Sequence, residues 1–397
     1  MSQSLSTALN PTTSTTLTTP LAKHAAQNEA QRQNVQIVDA HTTPDQIAQA
    51  AENVPVPIIL AEEEQPVEGV FQNVVNFRDV GRGFNEDSGK SYMKTGNLFR
   101  SGRLDDATTK DLELLTAKYG IKTVVDLRSE TEGKMGEDLV NTFPASAINE
   151  QTNIAELIKV GDGAVVTAKA EPMQLHSDGD TGGEDVQRVT YYINFAGRKF
   201  RRHSVWKPLR LKTKLKVIAL MAMNQKPRVI ELVGQSVIEP RGLLGLNKDF
   251  VDYCGAEIVQ ALRLLSNPAH YPLLVHCTQG KDRTGLVIAL ALRCAKIPES
   301  YIIKDYARTQ EGLARQRDVM VEEMRKTGLD PSFCDAPPNV IKQTLEYIRQ
   351  KYGSEEAYLE KWGFGWAEQK KVMACLVRQD VDDLEGLDGE TVNKCDD

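Results

Sequence analysis

Ten residues, 276–285 (HCTQGKDRTG), constrain this chain more than any other stretch, because of what flanks them. YPLLV, residues 271–275, is a short apolar run of strand formers and reads as a buried strand. LVIALALRCA, residues 286–295, is a continuous apolar segment of good helix formers and reads as a buried helix. Strand, tight loop and helix in that order aim the loop's backbone N–H groups and the helix's positive end at one point. An anion is the ligand such a point is built for.

The loop opens with a thiol and closes with a guanidinium, with five residues between Cys277 and Arg283. Wrapped around a phosphate, the amides of Thr278, Gln279, Gly280 and Lys281 can meet its oxygens while Arg283 grips two of them. Gly280 suits a turn with positive φ or a close backbone approach. His276 can hold the loop open by hydrogen bonding, and Thr284 places a hydroxyl near the sulfur. Helix N-termini and nearby cations favour a thiolate over a thiol, so Cys277 is the candidate nucleophile and Arg283 with the loop amides the candidate oxyanion clamp.

This string resembles the signature loop of the cysteine-dependent protein tyrosine and dual-specificity phosphatases. It is most similar to a branch with GKDRTG loops that includes bacterial tyrosine/lipid phosphatases and fungal homologues. NFRDVG at residues 76–81, LFRSGRL at 98–104, TVVDLRSETE at 123–132, DYARTQEG at 305–312 and APPNVIKQTLEYI at 336–348 resemble the same branch, in the same order along the chain. The resemblance implies phosphomonoester hydrolysis through a cysteinyl-phosphate, with phosphotyrosine proteins as the first substrate class and phosphoinositides as the second. It implies no cofactor and no metal.

The reaction also needs a proton donor for the leaving group. The tryptophan-proline-aspartate motif of the common tyrosine phosphatases is missing: Trp206, Trp362 and Trp366 do not begin it. Two aspartates stand as candidates. Asp126 ends a strand in DLRSETE, where the resemblance places an acid, and Asp282 lies inside the loop before Arg283, as in myotubularin-like and Sac-type enzymes. The expectation leans to Asp126, with Asp282 sharing the role. Arg128 either assists anion binding or satisfies a structural carboxylate, and Lys281 either attracts multiply charged headgroups or is simply solvated.

Around these motifs the expected fold is α/β, a mainly parallel central sheet flanked by helices, with a helical insertion. Residues 98–102 (LFRSG) read as a strand, residues 105–119 as a helix, and residues 121–127 (IKTVVDL) as a buried strand. Residues 81–89 are rich in turn formers. Asn247 is a plausible N-cap for the helix before the catalytic strand. In open sheets of this kind, ligands bind off the carboxyl ends of the strands, so the loops after residues 125 and 275 should meet.

Residues 1–65 lack aromatic side chains, and eleven of the first twenty are Ser or Thr, so they read as a disordered tail. Residues 379–397 read as an acidic disordered tail. With two basic and seven acidic residues in the first and one basic and eight acidic in the second, the tails carry −5 and −7, leaving residues 66–378 at +5. That central region is the expected catalytic domain, and its sign suits an anionic substrate. No signal or transit segment and no spanning helix is apparent, and the six cysteines show neither CxxC nor zinc spacing. The expectation is a cytoplasmic protein without disulfide framework or nucleic-acid partner.

The insertion covers about residues 133–240. Residues 177–185 (SDGDTGGED) read as loop. From Arg198 to Lys216 there are nine Lys or Arg and no acid, with Phe200, Trp206 and Leu209 interleaved. This stretch is either an arm that makes peripheral contact with an anionic membrane or a helical insert with a solvated basic face. Two other function classes stay open: a phosphate-binding module without turnover, and redox or arsenate chemistry, which needs a resolving cysteine that the loop lacks.

Overall fold

The computed structural model describes residues 70–129, 132–133, 135–146 and 187–379. Apart from Gln379, the expected tails and the 177–185 loop lie outside the described residues. Five strands, β1 (Arg78–Asp79), β2 (Leu98–Ser101), β3 (Thr123–Asp126), β4 (Val189–Tyr192) and β5 (Leu273–His276), form one sheet in the order β1-β2-β5-β3-β4. The pairings are parallel except for β1 with β2.

β5 is central and wholly buried, as a run such as LLVH requires in a parallel sheet covered on both faces. Its alternation sorts the cores: Leu273 and Val275 face one, with Leu98, Val125 and Leu127, whereas Leu274 faces the other, with Phe99 and Val124. The helix after β5, Asp282–Cys294, buries Leu286 to Leu292 in the larger core, and Gly255–Leu265 joins it there through Ile258, Leu262 and Leu265. The helix Pro338–Tyr352 adds Ile341, Leu345 and Ile348.

The helix expected over residues 105–119 starts later. Thr108 caps it in a capping box with Asp111, and it runs from Thr109–Glu113 into a π-helical turn, Leu114–Lys118. Residues 81–89, expected as turn, include most of a helix, Val80–Ser88, with Asp79 accepting from the Arg82 N–H at its start. Its glycines serve packing: a Cβ on Gly81 would lie 2.1 Å from the Lys94 carbonyl oxygen. Asn247 is not an N-cap. It sits inside Gly242–Tyr253, which is capped by Arg241, and its amide donates to the Leu243 carbonyl at 2.9 Å.

The insertion does more than extend the domain. It supplies β4, which pairs with β3, and Leu139 and Phe143 of the smaller core. Further along, Arg198–Trp206 and the helices Leu211–Ala222 and Lys226–Val233 lead back to the main body. There Arg241 pairs with Asp249, and Ser204 donates to the same carboxylate at 2.6 Å.

Candidate active site

The register brings three strand ends into line, since Ser101 and Asp126 both stand opposite His276. The 277–281 loop leaves from this point and enters the helix Asp282–Cys294. Gly280 has φ +67°, and a Cβ there would lie 2.1 Å from the Ser101 carbonyl oxygen. Both the dihedral and the space demand glycine at this position.

Loop carbonyls are tied on the outside. The Arg103 N–H donates to the Thr278 carbonyl at 2.9 Å. The Asn76 side-chain amide donates to those of Gln279 and Gly280 at 3.0 and 3.1 Å, and Arg100 Nη2 donates to that of Gly280 at 2.7 Å. In a trans peptide the N–H points opposite to the C=O, so anchoring these carbonyls turns the amides of Gln279, Gly280 and Lys281 inward. Asp305 in turn fixes the arginines, pairing with Arg100 and with Arg78 at 2.9 Å. Burial opposes its charge, but Arg100 and then Arg78 outweigh that and bring its carboxyl down to about 2.

Cys277 is buried at the head of the loop, and Thr284 is buried in the first helical turn. The Thr284 hydroxyl finds no hydrogen-bond partner among the described residues. Arg283 makes a two-pronged contact with Glu132, Nη1 to Oε1 at 2.8 Å and Nη2 to Oε2 at 2.6 Å. Thr278 Oγ1 donates to the same carboxylate at 2.7 Å, and so do the Ser129 N–H and hydroxyl. Despite burial, Arg283 above all, with Ser129 and Thr278, lowers the Glu132 carboxyl to about 2. The guanidinium fork is therefore shaped for an anion and already holds one.

Two expectations need correction, those for Asp126 and Lys281, and the readings of Arg128 and His276 narrow to their structural alternatives. Asp126 does not face a substrate as a loose acid: it is 2% exposed and accepts from the Arg128 backbone N–H, Nε and Nη2 at 2.9 to 3.1 Å. Burial works against its charge, but His276 and Arg128 outweigh that and hold it below the usual carboxylate range. Burial also lowers the His276 ring's pKa, which leaves Arg128 as the lasting positive partner. Arg128 is not presented to an anion, since it bridges Asp126 and Asp105, the latter at 2.6 Å. Lys281 is neither a pocket cation nor solvated; it is fully buried and its ammonium donates to the Phe333 and Asp335 carbonyls at 2.6 and 2.7 Å. His276 is likewise fully buried, with Nδ1 3.3 Å from the Cys277 carbonyl, so it shapes the loop rather than touching substrate.

Asp282 differs from Asp126. Its carboxylate is held loosely, by the Asn247 amide at 3.3 Å, the Tyr306 hydroxyl at 3.5 Å and the Lys281 ammonium at 3.7 Å. Glu132, Asn76, Arg100 and Asp305 were not singled out as site residues in the sequence, although each lies within a motif quoted above.

A strand-loop-helix with a thiol at one end, an anion-gripping arginine at the other and a mostly parallel sheet behind it defines a cysteine-dependent phosphatase, a hydrolase of phosphoesters. Residues 70–378 match the tyrosine phosphatase family, and the chain belongs to it. It is 31% identical over 334 residues to the triple specificity protein phosphatase PtpB of Mycobacterium tuberculosis, a match covering 76% of this chain and 96% of that protein. It is 29% identical over 129 residues to the inositol diphosphatase SIW14 of Saccharomyces cerevisiae, covering 32% of this chain and 46% of that one. The crystal structure of the SIW14 core catalytic domain in complex with citrate aligns with 65% of this chain and 93% of its own, at 13% identity and a TM-score of 0.26. No helix among the described residues is long and apolar enough to cross a membrane.

Proposed function

We propose that this chain is a protein-tyrosine phosphatase of dual-specificity type that works through a cysteinyl-phosphate. The observation that carries the reading is the Arg283 fork closed on a carboxylate beside Cys277, within a loop whose carbonyls are pinned outward. In the first step the Cys277 thiolate forms a bond to phosphorus as the bond to the leaving oxygen breaks, and Asp282 gives that oxygen its proton. In the second, water attacks phosphorus, its proton passes to Asp282, and the sulfur leaves as thiolate with the Thr284 hydroxyl donating to it. Arg283 and the inward amides hold the phosphoryl oxygens throughout. Thr278 and Gln279 contribute backbone to that cradle, and no cofactor is required.

Phosphoinositides or inositol phosphates form the second reading, favoured by the name of the inositol diphosphatase SIW14 among the relatives. The deciding experiment compares phosphate release by wild type and Cys277→Ser protein on a phosphotyrosine peptide and on a phosphoinositide and inositol pyrophosphate panel. Release from the peptide by wild type alone is the expected result. Preference for the inositol substrates would replace the protein reading, and turnover by Cys277→Ser would overturn the thiolate mechanism.

A further inference from the structure

The helix Leu211–Ala222 has two apolar faces where a surface helix needs one. Val217 points inward and packs with Leu209 and Val237, supported by Val229, Leu232 and Val233. At 100° per residue, Leu211, Leu215, Ile218 and Ala222 fall in a stripe about 60° wide on the other side. They are not covered: Leu211 is 73% exposed, Leu215 60% and Ile218 53%, with Met221 at 54% beside them and Met223 at 67% just past the helix end. Burial in this domain does not account for leucines at those positions.

The charges around the stripe narrow what covers it. Lys214 lies on one flank, and Lys212 and Lys216 on the other. Trp206 is 40% exposed, with the Lys214 ammonium 5.8 Å from its ring centre. From Arg198 to Ile230 the chain has eleven Lys or Arg and no Asp or Glu. Leucine, isoleucine and methionine along one line, lysines on its borders and a tryptophan at the edge form the pattern of a helix lying in a lipid interface. Its apolar side enters the acyl boundary, and its ammonium groups meet anionic headgroups.

We infer that the Leu211–Ala222 helix docks this domain peripherally on an anionic lipid bilayer. Docking uses none of the loop residues, so it stands or falls separately from the phosphatase reading. It does fit a substrate carried on a membrane, whether a lipid headgroup or a membrane-bound protein.

The test is cosedimentation of the full chain with vesicles of phosphatidylcholine alone and of phosphatidylcholine with phosphatidylserine, at two salt concentrations. Wild type and Cys277→Ser protein should both bind the anionic vesicles and leave the neutral ones. Leu215→Glu with Ile218→Glu should weaken binding at least about tenfold, and Lys212→Gln, Lys214→Gln and Lys216→Gln together on the order of 100-fold, with a shallower salt dependence. Leu215→Ser with Ile218→Ser offers a milder pair; circular dichroism checks that every variant is folded, and turnover of a soluble phosphoester does so for the stripe and lysine variants. Wild type that stays in the supernatant would overturn the inference, because the stripe would then have another occupant, such as an acidic segment of this chain or a second copy. Folded stripe variants that bind as wild type does would overturn it too.

Discussion

Asp126 and Asp282 can be separated by a pair of amide substitutions, because their surroundings predict opposite kinds of failure. Asp126 receives three N–H donors from Arg128 and is almost fully buried. Removing one partner of a buried ion pair costs about 3–5 kcal/mol. Asp105 still holds Arg128 at 2.6 Å, so the low end, about 3 kcal/mol, is the appropriate figure for Asp126→Asn. In a domain of this size that corresponds to a melting temperature lower by roughly 5–10 °C, with kcat changed only a few fold at a temperature where the variant is folded. Asp282→Asn should melt within about 2 °C of wild type but lose about 10²–10⁴-fold in kcat on a phosphotyrosine peptide, the contribution of a positioned acid. The loss should be smaller on para-nitrophenyl phosphate, whose leaving group needs no proton. Thermal melts and turnover on both substrates make the comparison. A hundredfold kcat loss in Asp126→Asn at unchanged melting temperature, beside an unimpaired Asp282→Asn, would refute the assignment.

Gly280→Ala places a Cβ 2.1 Å from the Ser101 carbonyl oxygen at φ +67°, so the loop must open; turnover should fall more than about 100-fold and unfolding should be easier by roughly 2–3 kcal/mol. Glu257, 6% exposed and pushed up to about 7 by desolvation against the weaker pull of its backbone hydrogen bond and Lys199, favours the folded state while protonated. Its contribution is full below the ordinary glutamate range and is lost as pH rises through about 7. Glu257→Gln should therefore gain roughly 2–3 kcal/mol over wild type at pH 8.5 and almost nothing at pH 4, read from denaturant melts; an equal difference at both pH values would count against this. Glu132→Gln removes a charged competitor for both Arg283 nitrogens, so inorganic phosphate should inhibit about tenfold more tightly, on the scale of one charge-assisted hydrogen bond; weaker inhibition would mean that Glu132 positions the fork instead.

What was legible in the sequence was local and periodic. YPLLV followed by ten special residues and an apolar run was enough to place β5, the loop and its helix, since each depends on near neighbours. The 81–89 stretch misled because its three glycines and its polar residues weaken helix propensity, and the reason for glycine at 81 is a carbonyl from residue 94 pressed against it. Propensity scales do not see such approaches. Lys281 misled for a similar reason: a loop position says nothing about which side of the loop the side chain leaves. Here two carbonyls at 333 and 335 capture the ammonium.

The support of the loop was the part hardest to read, and the cause is separation along the chain. Asn76, Arg100 and Asp305 lie in three motifs more than 20 residues apart, yet they converge because β2 pairs with β5 and β1 with β2. Each looks like an ordinary polar residue in its own segment. Only in the sheet does it become clear that the amide of Asn76 and the guanidinium of Arg100 take loop carbonyls, and that Asp305 neutralises Arg78 and Arg100. Glu132 follows the same logic from the other side of β5: it ends the TVVDLRSETE motif, and parallel pairing of β3 with β5 carries it to Arg283. An anion-binding loop of backbone amides is therefore costly to maintain without ligand. Its carbonyls need fixed donors outside, and its arginine needs a carboxylate that a phosphoryl group can displace.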